Sequence, residues 1–185
     1  MTIYAIRNDG YHYQELDLEV NDFIDDFPET YDYGQCHDFS VNNIAMSDFW
    51  KLMRTGFRKL DNEENRIPDI TTWIDATLLL SPKAHRLLGD ALSPYGEFLP
   101  IMIDTGTDRE TYQIFNCLTM AKVVEEKSSD THIAFDPNDV ADKLIFKTPF
   151  QRCLDLFCQL RLKDLVESFD LNGIMFDEHL GTFLD

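Results

Sequence analysis

Asp104-Thr105-Gly106, preceded by the apolar pair Met102-Ile103, has the letters of a carboxylate held in a tight turn, as hydrolases that work with two aspartates require. That chemistry needs two carboxylates sharing one proton at about hydrogen-bond distance. The sequence holds a single Asp-Thr-Gly, so an aspartic-type small hydrolase built on Asp104 would have to be a homodimer. The same letters, followed by Thr107-Asp108-Arg109, fit a strand running into a hairpin turn. A second candidate is the crowd of Asp22, Asp25, Asp26, Glu29 and Asp32, because calcium selects carboxylate oxygens. The spacing lacks the turn glycine and the closing Glu of an EF-hand loop, which leaves a calcium-responsive binding module as an alternative only. A third is Cys36-His37, the residue types of an activated thiolate, but neighbours in an extended segment project to opposite faces. His12, His85, His132 and His179 are scattered without zinc spacing, and no Gly-x-Ser-x-Gly, dinucleotide or phosphate loop occurs. The expectation is a protein that is not an enzyme and uses no metal or cofactor.

What remains is recognition of another protein. From Asn8 to Trp50 the chain has no Lys or Arg, yet eleven Asp or Glu fall there, more than half of the formal net charge of −18. Between those acids stand Phe23, Phe27, Tyr31, Tyr33 and Phe39. Large aromatics beside carboxylates suit contact with an Arg- or Lys-rich surface. The candidate partner-binding residues are Asp22, Asp25, Asp26, Glu29, Tyr31, Asp32, Tyr33 and Asp38. The plainer alternative keeps the rings in the core and leaves the acids as a solvated face, and the two are compatible. A charge of this size repels nucleic acid and anionic membranes, so neither is an expected partner. It draws basic proteins in, raising their association rates by roughly 10 to 10³ fold.

The elements behind these candidates follow from local signals. At 185 residues, with 44% apolar and 12% aromatic side chains, the chain suits one domain with a real core. The acidic segment 8–50 is predicted strand-like around Leu16, Leu18 and Val20 and loop-like after Pro28. Thr2 to Arg7 reads as a short strand followed by an Asn8-Asp9-Gly10 turn. Ser47 followed by Asp48 to Leu60 predicts a capped helix with Phe49, Trp50, Leu52 and Met53 inward. Ala76 to Leu80 predicts a buried strand, and Ser81-Pro82 the start of a helix with Leu87, Leu88 and Leu92 inward. Two β-rich runs around the five-residue loop 105–109 predict a hairpin. Strands are also expected at 142–147 and after the Asn172-Gly173 turn, with a helix through Leu160 to Phe169. Strands with packed helices and at least one hairpin give an α+β fold with a mixed or antiparallel sheet. The four cysteines form no CxxC pair and read as buried thiols of a reducing compartment, and no signal or membrane-length run is seen, so a cytoplasmic protein is expected.

The downstream order of segments carries a further signal: Trp73 with IDATLLLSPKAHRLL, then FLPIMID, YQIFNCLTM, DKLIFK and LKDLVESFDLNGIMFDE. Over residues 67–178 this order resembles a bacterial family of immunity proteins from polymorphic-toxin and interbacterial competition systems. None of these segments is a catalytic motif, and the acidic first third departs from the family pattern. The resemblance implies a protein that binds and neutralises a cognate toxin encoded beside it. The natural complement to an acidic inhibitor is a basic toxin, for instance a nuclease whose cleft is positive for its own substrate.

Overall fold

The structure, a computed structural model, describes residues 1–58 and 66–181. Its strands are β1 (Ile3–Asn8), β2 (Glu15–Leu16), β3 (Met53–Arg58), β4 (Ile70–Thr72), β5 (Thr77–Leu80), β6 (Gly96–Asp104), β7 (Arg109–Cys117), β8 (Ile145–Phe146), β9 (Leu156–Gln159) and β10 (Ile174–Asp177). The helices are α1 (Tyr33–His37), α2 (Pro82–Leu92) and α3 (Leu160–Ser168), with short 3₁₀ turns between elements. The fold is α+β, with the strands divided between two sheets. One is antiparallel, in the order β10-β1-β9-β8. The other is mixed, in the order β2-β3-β6-β7-β5-β4, with β3 and β6 parallel.

Local chemistry accounts for the clearest elements. The Ser81 hydroxyl accepts the Ala84 amide at 3.1 Å, Pro82 occupies the first turn, and Ala84, Leu88 and Leu92 bury one helical face. Leu87, expected inside, is only half-buried at the edge of that face. The β6–β7 hairpin pairs Gly96 with Cys117 through to Asp104 with Arg109. Arg109 therefore belongs to β7, and the connecting loop is one residue shorter than the sequence suggested.

Two expectations are corrected. The span predicted as a helix after Ser47 forms a turn through Trp50 and then β3, while Lys59 and Leu60 lie outside the described residues. Parallel pairing of Met53–Gly56 with Ile101–Asp104 overrides the helical spacing of its apolar residues. The acidic segment, expected as strand then loop, contributes only the two-residue β2, two 3₁₀ turns and α1, where Asp32 supplies the cap.

Three apolar clusters hold these layers. Leu78, Leu80, Phe115 and Cys117 face α2, and that same core takes Tyr4, Ile6, Leu156 and Cys158 from the antiparallel sheet. The opposite face of the mixed sheet, with Leu79, Leu99, Ile101, Ile103 and Ile114, is covered by the acidic segment. A third cluster, including Ile133, Phe135 and Val140, covers the outer side of the antiparallel sheet at Ala5, Phe146 and Phe157. Each sheet thus has one face toward the shared core and one under an irregular segment.

Candidate partner-binding surface

The acidic segment reaches the sheet by burying Leu16, Leu18, Val20, Phe23, Phe27, Cys36, Phe39, Ile44 and Met46. Each large apolar side chain so buried contributes roughly 1.5–3 kcal/mol. Exposed ion pairs such as Arg58 with Asp17 at 3.0 Å are screened by solvent and contribute little. Apolar burial, not charge, keeps the segment in place.

Polar clips then fix its path. The Trp73 indole donates to the Leu18 carbonyl at 2.8 Å, and the Trp50 indole to the Pro100 carbonyl at 2.8 Å. The Glu97 carboxylate on β6 accepts the amides of Met46 at 2.6 Å and Ser47 at 3.0 Å. Asn116 on β7 donates to the Ile44 carbonyl at 2.9 Å and to Glu97 at 2.8 Å. The Lys147 ammonium, wholly buried beyond β8, donates to the Ser40 carbonyl at 2.6 Å. These contacts satisfy backbone groups that an irregular segment would otherwise bury unpaired.

With the backbone fixed, the side chains separate. Phe23 and Phe27 are 3% and 8% exposed and Phe39 is fully buried, so these rings are core. Tyr31 is half-buried against Phe27 and Phe49. Tyr33 is 67% exposed, packed on the His37 ring at 4.4 Å between centroids. The acids lie outside. Asp22 and Asp32 cap turns, accepting the amides of Glu19 and Gln35 at 2.8 Å each. Asp26 is paired with Lys51, and Asp38 meets Arg152 at 3.5 Å. Asp25 and Glu29 are exposed and have no hydrogen-bond or ion-pair partner among the described residues. The eight candidate residues therefore share one segment, with Asp25, Glu29 and Tyr33 the most available for contact.

The other candidates fall elsewhere. Cys36 and His37 are neighbours on α1 and not in an extended segment. The thiol is buried, which raises its pKa, and the imidazole lies 3.2 Å from Asn21 Oδ1. Asp104 is exposed at the hairpin, accepts the Gly106 amide at 2.9 Å and faces Arg109 at 3.6 Å, while Gly106 supplies the positive φ of 86° that the turn needs. Among the described residues no three His, Cys, Asp or Glu side chains converge to hold a metal ion. A separate groove of about 610 Å³ beside Met120, Val123 and Phe150 includes Asp139, which is already engaged by Lys143 at 2.6 Å and by the Lys122 amide. No described helix is long and apolar enough to cross a membrane.

Glu97 and Lys147 had no sequence signal, and Asn116 stood out only as a feature of the family-like strand from Tyr112 to Leu118. Each is a single polar residue in a strand or at its end, and only the fold brings it to the acidic segment. No known family model and no curated protein matches this chain.

Proposed function

We propose that the protein is an immunity protein, which binds a cognate toxin of basic surface through the acidic segment and neutralises it. The observation that carries this reading is the division of that segment. Phe23, Phe27 and Phe39 anchor it to the mixed sheet, while Asp25, Glu29 and Tyr33 face outward from a clipped backbone. A surface held in advance loses little conformational entropy on binding, and its field speeds encounter with a positive partner. The resemblance over residues 67–178 points to the same class of activity. An inhibitor of this kind needs no catalytic group. It must capture fast and release slowly, and the acids serve the first need while desolvated contacts serve the second.

Coexpression with the product of the adjacent gene tests the proposal. Rescue from toxicity together with copurification supports it. A neighbour that is neither toxic nor retained would remove its basis.

A further inference from the structure

The turn joining β4 to β5 leaves one carboxylate unclaimed. The Trp73 amide meets the Thr77 carbonyl at 3.3 Å and the Thr77 amide meets the Asp75 carbonyl at 2.9 Å, closing a turn that places Asp75 at φ +49°. Aspartate tolerates that left-handed conformation better than most residues. Its side chain has no hydrogen-bond or ion-pair partner among the described residues. Burial, aided by nearby Asp38 and opposed by Lys147 and Arg152, pushes its pKa up to about 6.

Asp75 lines a cavity of about 150 Å³ with Arg7, Trp73, Leu154 and Asp155. The neighbouring charges are committed elsewhere. Arg7 meets Asp155 at 2.5 Å and the Gly181 carbonyl at 3.2 Å, Arg152 meets Asp38, and Lys147 is bound to Ser40. Arg152 and Cys153 both hold left-handed φ values, 53° and 54°. At this turn Cys153 is wholly buried while Leu154, next in sequence, is 53% exposed at the cavity. Two such residues in succession are a local cost the surrounding structure must hold in place.

Size and lining narrow the occupant. Cofactor and drug-sized sites occupy roughly 300–1,000 Å³. This one is half the lower bound and suits the end of one side chain. A carboxylate accepts charged donors, an indole attracts a cation, and an aliphatic rim suits the methylene stem of Lys or Arg. The Trp73 ring also lies tilted against Phe23 and Phe39, with centroids at 5.8 and 6.4 Å, so the cavity adjoins the acidic segment. We propose that this cavity is a socket for a single cationic side chain, Lys or Arg, of a basic protein partner. The socket rests on the proposed function for the nature of that partner and deepens it by naming an anchor.

Small probes separate the two ideas. The full chain is titrated with methylguanidinium, butylammonium and acetate, following the Asp75 carboxyl carbon and the Trp73 indole by NMR. A cationic probe is expected to shift both signals and to lower the pKa of Asp75, with affinity falling as pH drops through about 6. Asp75→Asn keeps the left-handed turn and should weaken the cationic probes by roughly tenfold. Leu154→Ala, which leaves the carboxylate in place, should weaken butylammonium more than methylguanidinium. Silence at Asp75 with both cations, equal binding by Asp75→Asn, or acetate bound at Arg7 in their place would overturn the socket. None of these results depends on a toxin, so a failed socket leaves the immunity reading standing, and an absent toxin leaves the socket.

Discussion

The Lys147 ammonium donates to the Ser40 carbonyl at 2.6 Å, with both residues fully buried. A lysine without exposure is unusual, and burial lowers its pKa. The bond joins the segment beyond β8 to the far end of the acidic segment, and Ser40 Oγ continues it to the Cys153 carbonyl at 3.2 Å. Lys147→Met keeps most of the stem packing and removes the charged donor to the Ser40 carbonyl, which keeps only the Asn43 amide at 3.2 Å among the described residues. It is expected to lose about 1–3 kcal/mol in urea unfolding. Because the folded pKa lies below the ordinary 10.5, the unfolded chain binds more protons between those values, and wild-type stability rises with pH there. The deficit of Lys147→Met should therefore widen as pH climbs toward 10.5.

Asp75 gives the opposite sign. Its folded pKa of about 6 is above the ordinary 3.8, so the folded state binds the extra proton between those values. Stability from this group is full below about pH 4 and is lost as pH rises through 6. Asp75→Asn should raise the melting temperature relative to wild type above pH 6, with the gain vanishing by pH 4. A constant difference across that range would contradict the titration of Asp75.

Gly173 has φ +109°, and a Cβ there would lie 2.2 Å from the Ile70 carbonyl oxygen and 2.4 Å from Pro68 Cβ. Its carbonyl also accepts the Asp9 amide at 3.2 Å. Gly173→Ala combines backbone strain with a clash against main chain and is expected to cost more than about 3 kcal/mol, read as a lowered denaturant midpoint.

Asp25 and Glu29 are exposed and have no partner among the described residues, so replacing both with Lys should change stability by less than about 0.5 kcal/mol per site. Asp26 is a poorer choice for charge reversal because it holds Lys51. Against the toxin that the proposed function requires, stopped-flow mixing of the double variant should show slower association and a shallower salt dependence. Unchanged kinetics would exclude this patch as the docking face.

The sequence was most informative where the cause was local. Ser81 and Pro82 set the start of α2 by their own chemistry, and the turn residues at 105–108 closed the β6–β7 hairpin. It misled where distant pairing won, as in the span leading into β3, where the spacing of Phe49, Trp50, Leu52 and Met53 fits a helix until Ile101–Asp104 offers Met53–Gly56 a parallel strand. It gave no warning of β9, because Leu156 to Gln159 are all buried and show no alternation. The candidate surface was legible as charge, whereas the positions of its rings were not. Phe23 and Tyr33 have equivalent settings in the sequence, yet the fold packs Phe23 against Phe27, Trp50 and Trp73 and leaves Tyr33, at the start of α1, exposed beside His37. The clips from Glu97, Asn116 and Lys147, and the cavity beside Asp75, depend on contacts between residues about 50 to 110 positions apart or on the meeting of two sheets, which no short window contains.

The separation of inward rings from outward acids also bears on how such a surface can change over generations. Substitutions at Asp25, Glu29 or Tyr33 leave the packing of Phe23, Phe27 and Phe39 untouched. A lineage could therefore drift through many charge patterns on one scaffold without passing through an unfolded variant. Under the proposed function, one frame with different faces would serve against different toxins.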